Sequence, residues 1–418
     1  MSFNQYTWDL YKQTTIGIEM IKYFSDAGGY VLFKDYCPYA NFIPEDLYND
    51  WLENIYCYGV SDYDHPSSLE EAKDLYISLI TLGIRVEGQQ WLPANDFKNM
   101  LGIIQPMSYV LSQFAPEYFF PYLFLCRIFE LNKIADFFNI DLPNIPKRTD
   151  YKGRCMYYWE LCEVFYLFRK ENGLSPADLW SFLYDFAPNN LPSEKIDMPK
   201  PSQVWFIGGR LYQEDKSLES KFWQSSPETK KGDILVHYET SPISAITCIE
   251  ISLTDGVIDP LFRYYGCIYI GNRINIPHIT LKELQTDEYF FKHPLVRKNF
   301  QGVNGWSVNS ENYSELLRMI KTKGFDIEVL PKLYAPTLPK DVIIEYEHDV
   351  EQQLLEPLLN SMGWYENKDF IRQLPIQAGR GHRIFPDYAL HYGNKPNEER
   401  AKAVSYTHLR AHETLSDL

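Results

Sequence analysis

The spacing of apolar side chains changes twice along the chain and divides it into three parts. From residue 1 to about residue 186, apolar positions recur at helical spacing, as at Tyr158, Leu161, Phe165 and Phe168. Residues 67–71, Ser-Ser-Leu-Glu-Glu, form a capping pattern that predicts a helix through Leu79. Residues 175–178, Ser-Pro-Ala-Asp, predict another helix start. The first part is therefore predicted to be mainly helical.

After residue 202 the pattern becomes that of strands. Residues 187–202 contain four prolines among polar residues and read as a linker. Alternating or continuous apolar runs then predict four strands, followed by a helix over residues 311–323 and a second proline-rich linker. The predicted strands cover residues 204–207, 232–238, 244–251 and 264–270.

Composition and charge limit the class of protein. The chain has 418 residues, of which 45% are hydrophobic and 16% aromatic, enough for two or three domains with cores. The net charge of −16 argues against a protein coated in nucleic acid but leaves room for a local basic groove. Seven cysteines without a Cys-x-x-Cys pair favour a reducing cytoplasm. We expect neither a signal peptide nor a membrane span.

Residues 230–246, Lys-Lys-Gly-Asp-Ile-Leu-Val-His-Tyr-Glu-Thr-Ser-Pro-Ile-Ser-Ala-Ile, resemble the core strands of EVE domains, which belong to the PUA-like barrels. Trp205, Trp223 and residues 293–302 fit the same plan, and the resemblance covers roughly residues 203–325. It implies a pocket for a flipped, often modified, base, in which aromatic faces stack and Ser or Asn reads the base edge. The candidates for base binding are Trp205, Trp223, Tyr238, Ser241 and Asn299.

Each of these predictions has an ordinary alternative. Either tryptophan can equally be a core residue. Residues 291–300 interleave cations with aromatic rings, so that Lys292, Arg297 and Lys298 are candidates for contact with phosphate. The same run can also be a plain solvated surface.

The third part reads as an acidic helix, a strand, a turn and a second strand. Its order resembles the N-terminal nuclease domain of type I restriction enzyme R subunits, a PD-(D/E)XK fold. The resemblance implies that a helix Glu, the Asp of Pro-Asp and a later Glu-x-Lys on the next strand bind Mg²⁺ and activate water. It carries over to Glu351, with Glu347 as the second choice, and to Asp387. The Glu-x-Lys is missing from this chain.

The tail resembles a translated sequencing-library transposon adapter. The adapter codons GTC TCT TAT ACA CAT CTC CGA GCC CAC GAG encode residues 404–413. We therefore expect Lys402 to be the last native residue of a gene fragment cut inside its nuclease domain, and residues 403–418 to carry no biological meaning.

These observations predict a multidomain protein with a helical N-terminal domain, a PUA-like mixed α/β barrel and an incomplete α/β PD-(D/E)XK fold. The predicted parts are a helical accessory domain over 1–186, a linker over 187–202, the base-binding barrel over 203–330, a linker over 331–340, part of the nuclease domain over 341–402, and the tail.

The predicted function is that of a modification-dependent, restriction-type DNA endonuclease of a defence system. Its cofactor would be Mg²⁺, its partner DNA or RNA, and its helical domain would serve a protein partner. The chain itself is predicted to be inactive because the Glu-x-Lys is absent. The alternatives are a non-catalytic reader of modified DNA or RNA with a degenerate nuclease fold, and a helical interaction protein whose barrel has no ligand.

Overall fold

The chain folds into two compact units. The computed structural model describes residues 3–37, 40–192, 198–210, 220–334, 344, 346–362, 364–379, 382–390 and 403–405. The first unit comprises Met1–Ile196, Lys221–Pro227 and Val257–Ile268, and the second comprises Asp197–Ser220, Glu228–Gly256 and Tyr269–Leu418. The mixture of helices with a curled half-barrel sheet agrees with the predicted multidomain α/β class. The division differs from the predicted boundaries, because two short segments of the predicted barrel cluster with the helical part and residues 341–402 do not form a separate unit.

The first unit is mainly helical, as predicted. Ser68 accepts a hydrogen bond from the Glu71 backbone, and Ser175 and Asp178 form a reciprocal capping box, so both predicted helix starts are confirmed. None of the described helices has both the length and the apolar character needed to span a bilayer. The helices are α1 (Gln5–Gln13), α2 (Thr15–Asp26), α3 (Gly29–Tyr36), α4 (Glu45–Ile55), α5 (Leu69–Leu82), α6 (Phe97–Met100), α7 (Ile104–Phe114), α8 (Ile128–Phe138), α9 (Tyr151–Glu171), α10 (Pro176–Ser181) and α11 (Ala187–Asn190).

Two features of this unit differ from the sequence prediction. A β-hairpin of β1 (Ile84–Val86) and β2 (Gln89–Leu92) interrupts the helices. Its two connecting residues, Glu87 and Gly88, both have positive φ, as the favoured two-residue hairpin turns require. In addition, α11 lies within the predicted linker, because a π-helical turn over Phe182–Phe186 continues the preceding helix.

The second unit is built on a curled sheet. The strands are β3 (Val204–Gly209), β4 (Ser220–Gln224), β5 (Ile234–Glu239), β6 (Ala245–Ser252), β7 (Val257–Ile258), β8 (Gly266–Thr280) and β9 (Asn304–Val308). In this unit the strand order is β8-β6-β5-β3-β9, with β3 parallel to β5 and the other pairs antiparallel. In the first unit, β7 pairs with the first two residues of β8, and β4 also neighbours β8.

One face of this sheet forms the main hydrophobic core of the second unit. Val236, Tyr238 and Ile249 from the sheet belong to one buried cluster with Leu316 and Ile320 of the helix over Ser310–Thr322. Because side chains alternate along a strand, the intervening residues of β5 and β6 point to the other face. The helices here are α12 (Leu281–Thr286), α13 (Pro294–Arg297) and α14 (Ser310–Thr322).

The C-terminal part of the second unit contains the predicted helix and strands. A single helix is made of α15 (Glu347–Val350), a π-helical turn (Glu351–Leu355) and α16 (Glu356–Ser361). It packs Leu355 and Leu359 against Phe370 and Tyr388. The strands β10 (Phe370–Arg372), β13 (Tyr388–Leu390) and β14 (Ala403–Ser405) form one antiparallel sheet, and β11 (Ile376–Gly379) and β12 (His382–Ile384) form a hairpin. Of the predicted linker over 331–340, residues 335–340 lie outside the described residues.

Candidate nucleic-acid interface and acidic site

A stacked ring pair joins the end of β5 to the turn after α13. Tyr238 and Phe300 stack with their ring centroids 4.1 Å apart and 5° between their planes. Tyr238 is only 2% exposed and belongs to the hydrophobic core, so one of its ring faces is covered by Phe300. Both Asn299 and Phe300 adopt positive φ in this turn. The stack therefore fixes a strained turn against the end of a central strand.

The ends of β3 and β5 lie side by side in the sheet. Because the two strands are parallel, Gly208 lies beside Tyr238, and both chains leave the sheet in the same direction. Arg210 follows β3 and donates from Nη2 to the backbone oxygen of Ser241, at 3.0 Å. A side chain at Gly208 would place its Cβ 2.2 Å from Val303, so only glycine permits this approach of the turn to β3.

Three exposed cations precede Phe300 in the sequence. Lys292, Arg297 and Lys298 are all exposed, and the last two directly precede Asn299. Gln285 donates from Nε2 to Asn299 Oδ1 at 2.9 Å. We call Arg210, Ser241, Lys292, Arg297, Lys298 and Asn299 the strand-end surface. The structure thus brings Tyr238, Ser241, Asn299 and the predicted phosphate contacts into one part of the second unit.

Trp205 lies near the start of β3, away from the strand-end surface, and donates a hydrogen bond to a buried aspartate. Its Nε1 donates to Asp233 Oδ2 at 2.8 Å, and the residue is 3% exposed. Asp233 also accepts hydrogen bonds from Ser202 Oγ and the backbone nitrogens of Gln203 and Lys230. Burial raises the pKa of Asp233 to about 6, against the effect of these donors. The buried ring of Trp205 has no face open to a base, which agrees with the core-packing alternative.

Trp223 belongs to the first unit and is partly buried. The ammonium of Lys221 lies 4.8 Å from the centroid of its ring, at cation–π distance.

The predicted acidic residues Glu351 and Asp387 both lie near Tyr388. Glu351 begins the π-helical turn. Burial raises the pKa of Tyr388 to about 12, and the charges of Glu351 and Glu356 add to the effect. Asp387 directly precedes Tyr388 and accepts a hydrogen bond from Gln373 Nε2 at 3.1 Å. The side chain of Glu347 lies outside the described residues.

The strand next to β13 has neither residue of the expected Glu-x-Lys. Leu390, Ala389 and Tyr388 of β13 pair with Ala403, Val404 and Ser405 of β14. On the helix side, Arg372 binds Glu356 at 2.7 Å and Glu366 through two bonds of 2.8 Å. Arg372 thus holds Glu356 and Glu366, and neither of these is a candidate ligand of the metal.

A second group of potential ligands was not predicted from the sequence. His237 of β5 and Cys248 and Glu250 of β6 are buried, and their ligand atoms lie within 4.8 Å of one another. Burial alone would raise the pKa of Glu250, but hydrogen bonds and charges from His237 and Arg273 hold it below its ordinary value. A sequence signal did exist: these polar residues stand at alternating positions of strands that are otherwise apolar.

The comparisons with known proteins name no family. No protein-family model matches the chain, and no curated protein matches it. Two solved structures are similar to about a third of it. One is the NMR structure of Rpa0253 from Rhodopseudomonas palustris, 14% identical, with a TM-score of 0.25, covering 29% of this chain and 94% of that one. The other is a hypothetical protein from Leishmania major, 12% identical, with a TM-score of 0.25, covering 30% and 98%.

Proposed function

We propose that this protein binds nucleic acid through the strand-end surface and reads a modified base there. It would derive from a modification-dependent, restriction-type DNA endonuclease, and the chain as it stands would bind without cleaving. One observation carries the proposal: the Tyr238–Phe300 stack fixes the turn with Arg297, Lys298 and Asn299 against the end of β5, the strand that the loop with Ser241 follows.

The chemistry of the surface suits this role. Cations contact phosphates without regard to sequence, whereas Ser and Asn side chains donate to and accept from base edges. Arg297 and Lys298 supply the first kind of group, and Ser241 and Asn299 supply the second. In a protein with a net charge of −16, such a surface would be the local exception that allows binding of a polyanion.

The nuclease part of the proposal rests on the helix of Glu351 and the strand that Asp387 precedes. Their carboxylates are the hard oxygen ligands that Mg²⁺ prefers, and a bound ion would lower the pKa of a water molecule and stabilise charge on a phosphate. In this chain the strand beside β13 is β14, which belongs to the tail and supplies no Glu-x-Lys, and this favours binding without cleavage.

The test is binding of fluorescent oligonucleotides, measured by anisotropy at several salt concentrations. We expect the double variant Arg297→Gln/Lys298→Gln to lose affinity for all sequences and to reduce the slope of log K against log salt by about 2. Lys321→Gln/Lys332→Gln is the matched control, since it removes the same charge from exposed positions of the same unit outside the surface. Equal effects of the two variants would contradict the proposal.

Base reading is tested separately from phosphate binding. Oligonucleotides that differ only in one modified base should bind the wild-type protein with different affinities. We expect Ser241→Ala and Asn299→Ala to reduce that difference while the salt dependence stays the same, because these side chains carry no charge. A preference that survives both substitutions would place the reading of the base elsewhere.

A further inference from the structure

The second face of the curled sheet carries a buried polar cluster that the proposed function does not use. His237 and Cys248 are direct cross-strand partners on β5 and β6, and Glu250 lies two residues beyond Cys248. Residues two apart on a strand share a face, and directly opposed residues have their Cβ atoms about 5 Å apart. The three side chains therefore converge on one point, on the face opposite to that of Val236 and Ile249.

The backbone is irregular at this point. The register of β5 and β6 shifts between His237 and Tyr238, and that of β6 and β8 shifts between Ile246 and Cys248. Such bulges re-aim side chains and are frequent beside functional sites. A further shift of β6 against β8, between Ile249 and Ile251, spans Glu250, so shifts border all three converging residues.

We propose that His237, Cys248 and Glu250 bind one zinc ion between β5 and β6. Imidazole, thiolate and carboxylate are the usual ligands of Zn²⁺, and the softness of the thiolate disfavours Mg²⁺ and Ca²⁺. The three donors leave one of the four tetrahedral positions for a water molecule. This proposal is independent of the nucleic-acid function and concerns a different face of the sheet.

The distances between the three ligand atoms allow zinc binding with small side-chain movements. At zinc bond lengths of about 2.0–2.3 Å, tetrahedral ligand atoms lie roughly 3.3–3.8 Å apart. The ligand atoms of the three residues all lie within 4.8 Å of one another, and His237 Nδ1 is already 3.0 Å from Glu250 Oε2. Zinc would take the place of that contact. The side chains are at most 2% exposed, so the ion would be enclosed.

Arg273 is not a ligand, but it orients one of the proposed ligands, as neighbouring residues do in many metal sites. Its Nε donates to Glu250 Oε1 at 2.8 Å, which orients the carboxylate and leaves Oε2 toward His237. Binding would form bonds from zinc to Cys248 Sγ, His237 Nδ1 and Glu250 Oε2. The S–H bond of Cys248 would break and release its proton to solvent, and the proton of the neutral His237 imidazole would shift from Nδ1 to Nε2. The two negative ligands then balance the charge of Zn²⁺, and Arg273 remains paired with Glu250.

The experiment is Co²⁺ binding to the full chain, refolded under reducing conditions in the presence of the metal because the site is buried. We expect one equivalent to bind, with the near-ultraviolet thiolate-to-cobalt band and the visible bands of a tetrahedral ion. Cys248→Ser should lose the near-ultraviolet band. Cys267→Ser, which alters another fully buried cysteine outside the cluster, should keep it. Absence of the band in the wild type, or its survival in Cys248→Ser, would overturn the proposal.

A second measurement guards against misfolded variants. Zn²⁺ at about 100 times its Kd should raise the thermal midpoint of the wild type and of Cys267→Ser by about 5–10 °C. It should not raise that of Cys248→Ser or of Glu250→Gln, which keeps the size of the side chain. If Cys248→Ser fails to fold, the comparison is made with Glu250→Gln. An equal rise in the variants and the wild type would also overturn the site.

Discussion

Gly208 lies directly beside Tyr238 in the parallel pair of β3 and β5, and this pairing brings Val303 against the sheet. The absence of a side chain at residue 208 lets the turn after α13 approach, and Phe300 then covers the ring of Tyr238. The strand-end surface thus depends on four neighbours that are themselves buried or lack a side chain: Gly208, Tyr238, Phe300 and Val303. The exposed residues of the surface carry the proposed chemistry, and these neighbours fix their positions.

We expect Tyr238 to stabilise the fold rather than to stack directly on a base. Tyr238→Phe keeps the ring pair and should cost about 1 kcal/mol or less, since it removes only a hydroxyl. Tyr238→Ala opens a cavity in the core and should cost about 3–5 kcal/mol. Urea unfolding measures both. A Tyr238→Ala variant with unchanged stability and lost base preference would instead show that the ring contacts the base.

Strands β3, β5, β6 and the start of β8 were predictable because their residues form apolar runs bounded by turn residues, whereas β4, β7 and β9 were not predicted. The structural role of Trp205 could not be predicted, since it depends on tertiary contacts. Asp233 receives donors from Ser202, Gln203 and Trp205, about thirty residues away in sequence. No local sequence pattern indicates that these groups are in contact. An aromatic residue on a strand is equally typical of a core and of a ligand pocket.

The predicted boundary between the helical part and the linker was wrong because of its prolines. The four prolines of residues 187–202 predict a linker, yet Pro188 lies in the first turn of α11, two residues after a π-helical turn. Pro357 stands in the same relation to the π-helical turn over Glu351–Leu355. A proline removes one helical hydrogen bond and crowds the carbonyl four residues earlier. A wider turn just before it relieves that conflict, so both helices continue.

Asp233→Asn should destabilise the second unit. Each carboxylate oxygen of Asp233 accepts two hydrogen bonds, so an amide nitrogen placed at either position would face two donors. We expect a loss of about 2–4 kcal/mol, the cost of unpaired buried polar groups. Urea unfolding measures it. Asp255→Asn provides a comparison in the same unit, because Asp255 accepts one backbone bond, from Lys231, and one bond from the exposed Lys368 ammonium. Equal losses would mean that the number of donors does not matter.

Mg²⁺ should not activate this chain. We expect neither the wild type nor Asp387→Ala to nick plasmid DNA, with or without modified bases, when Mg²⁺ is added. The reason is that β14 supplies neither Glu nor Lys beside β13. Gel electrophoresis after long incubation measures cleavage. Mg²⁺-dependent cleavage by the wild type that Asp387→Ala abolishes would contradict this prediction and support an intact nuclease site.

Asp259 should make the stability of the first unit depend on pH. It is fully buried, and its Oδ1 accepts hydrogen bonds from the Leu261 and Phe262 backbones, whereas Oδ2 has no partner among the described residues. Burial raises the pKa of Asp259 from 3.8 to about 7, against these donors and the charge of Arg154. Between these two values the folded state holds a proton that the unfolded state has lost. Stability therefore falls as the pH rises through this window, and the contribution is complete only below about pH 4.

Asp259→Asn should remove this dependence, because the amide oxygen can accept the same two backbone bonds and the side chain no longer ionises. Between about pH 5 and pH 8, we expect the unfolding free energy of the wild type to fall by about 3 kcal/mol more than that of the variant. Urea unfolding followed by tryptophan fluorescence at each pH measures the difference. Asp141→Asn, at an exposed position of the same unit, is the control and should follow the wild type. Parallel pH profiles for Asp259→Asn and the wild type would show that Asp259 stays ionised inside the fold, with a cation or water molecule at Oδ2.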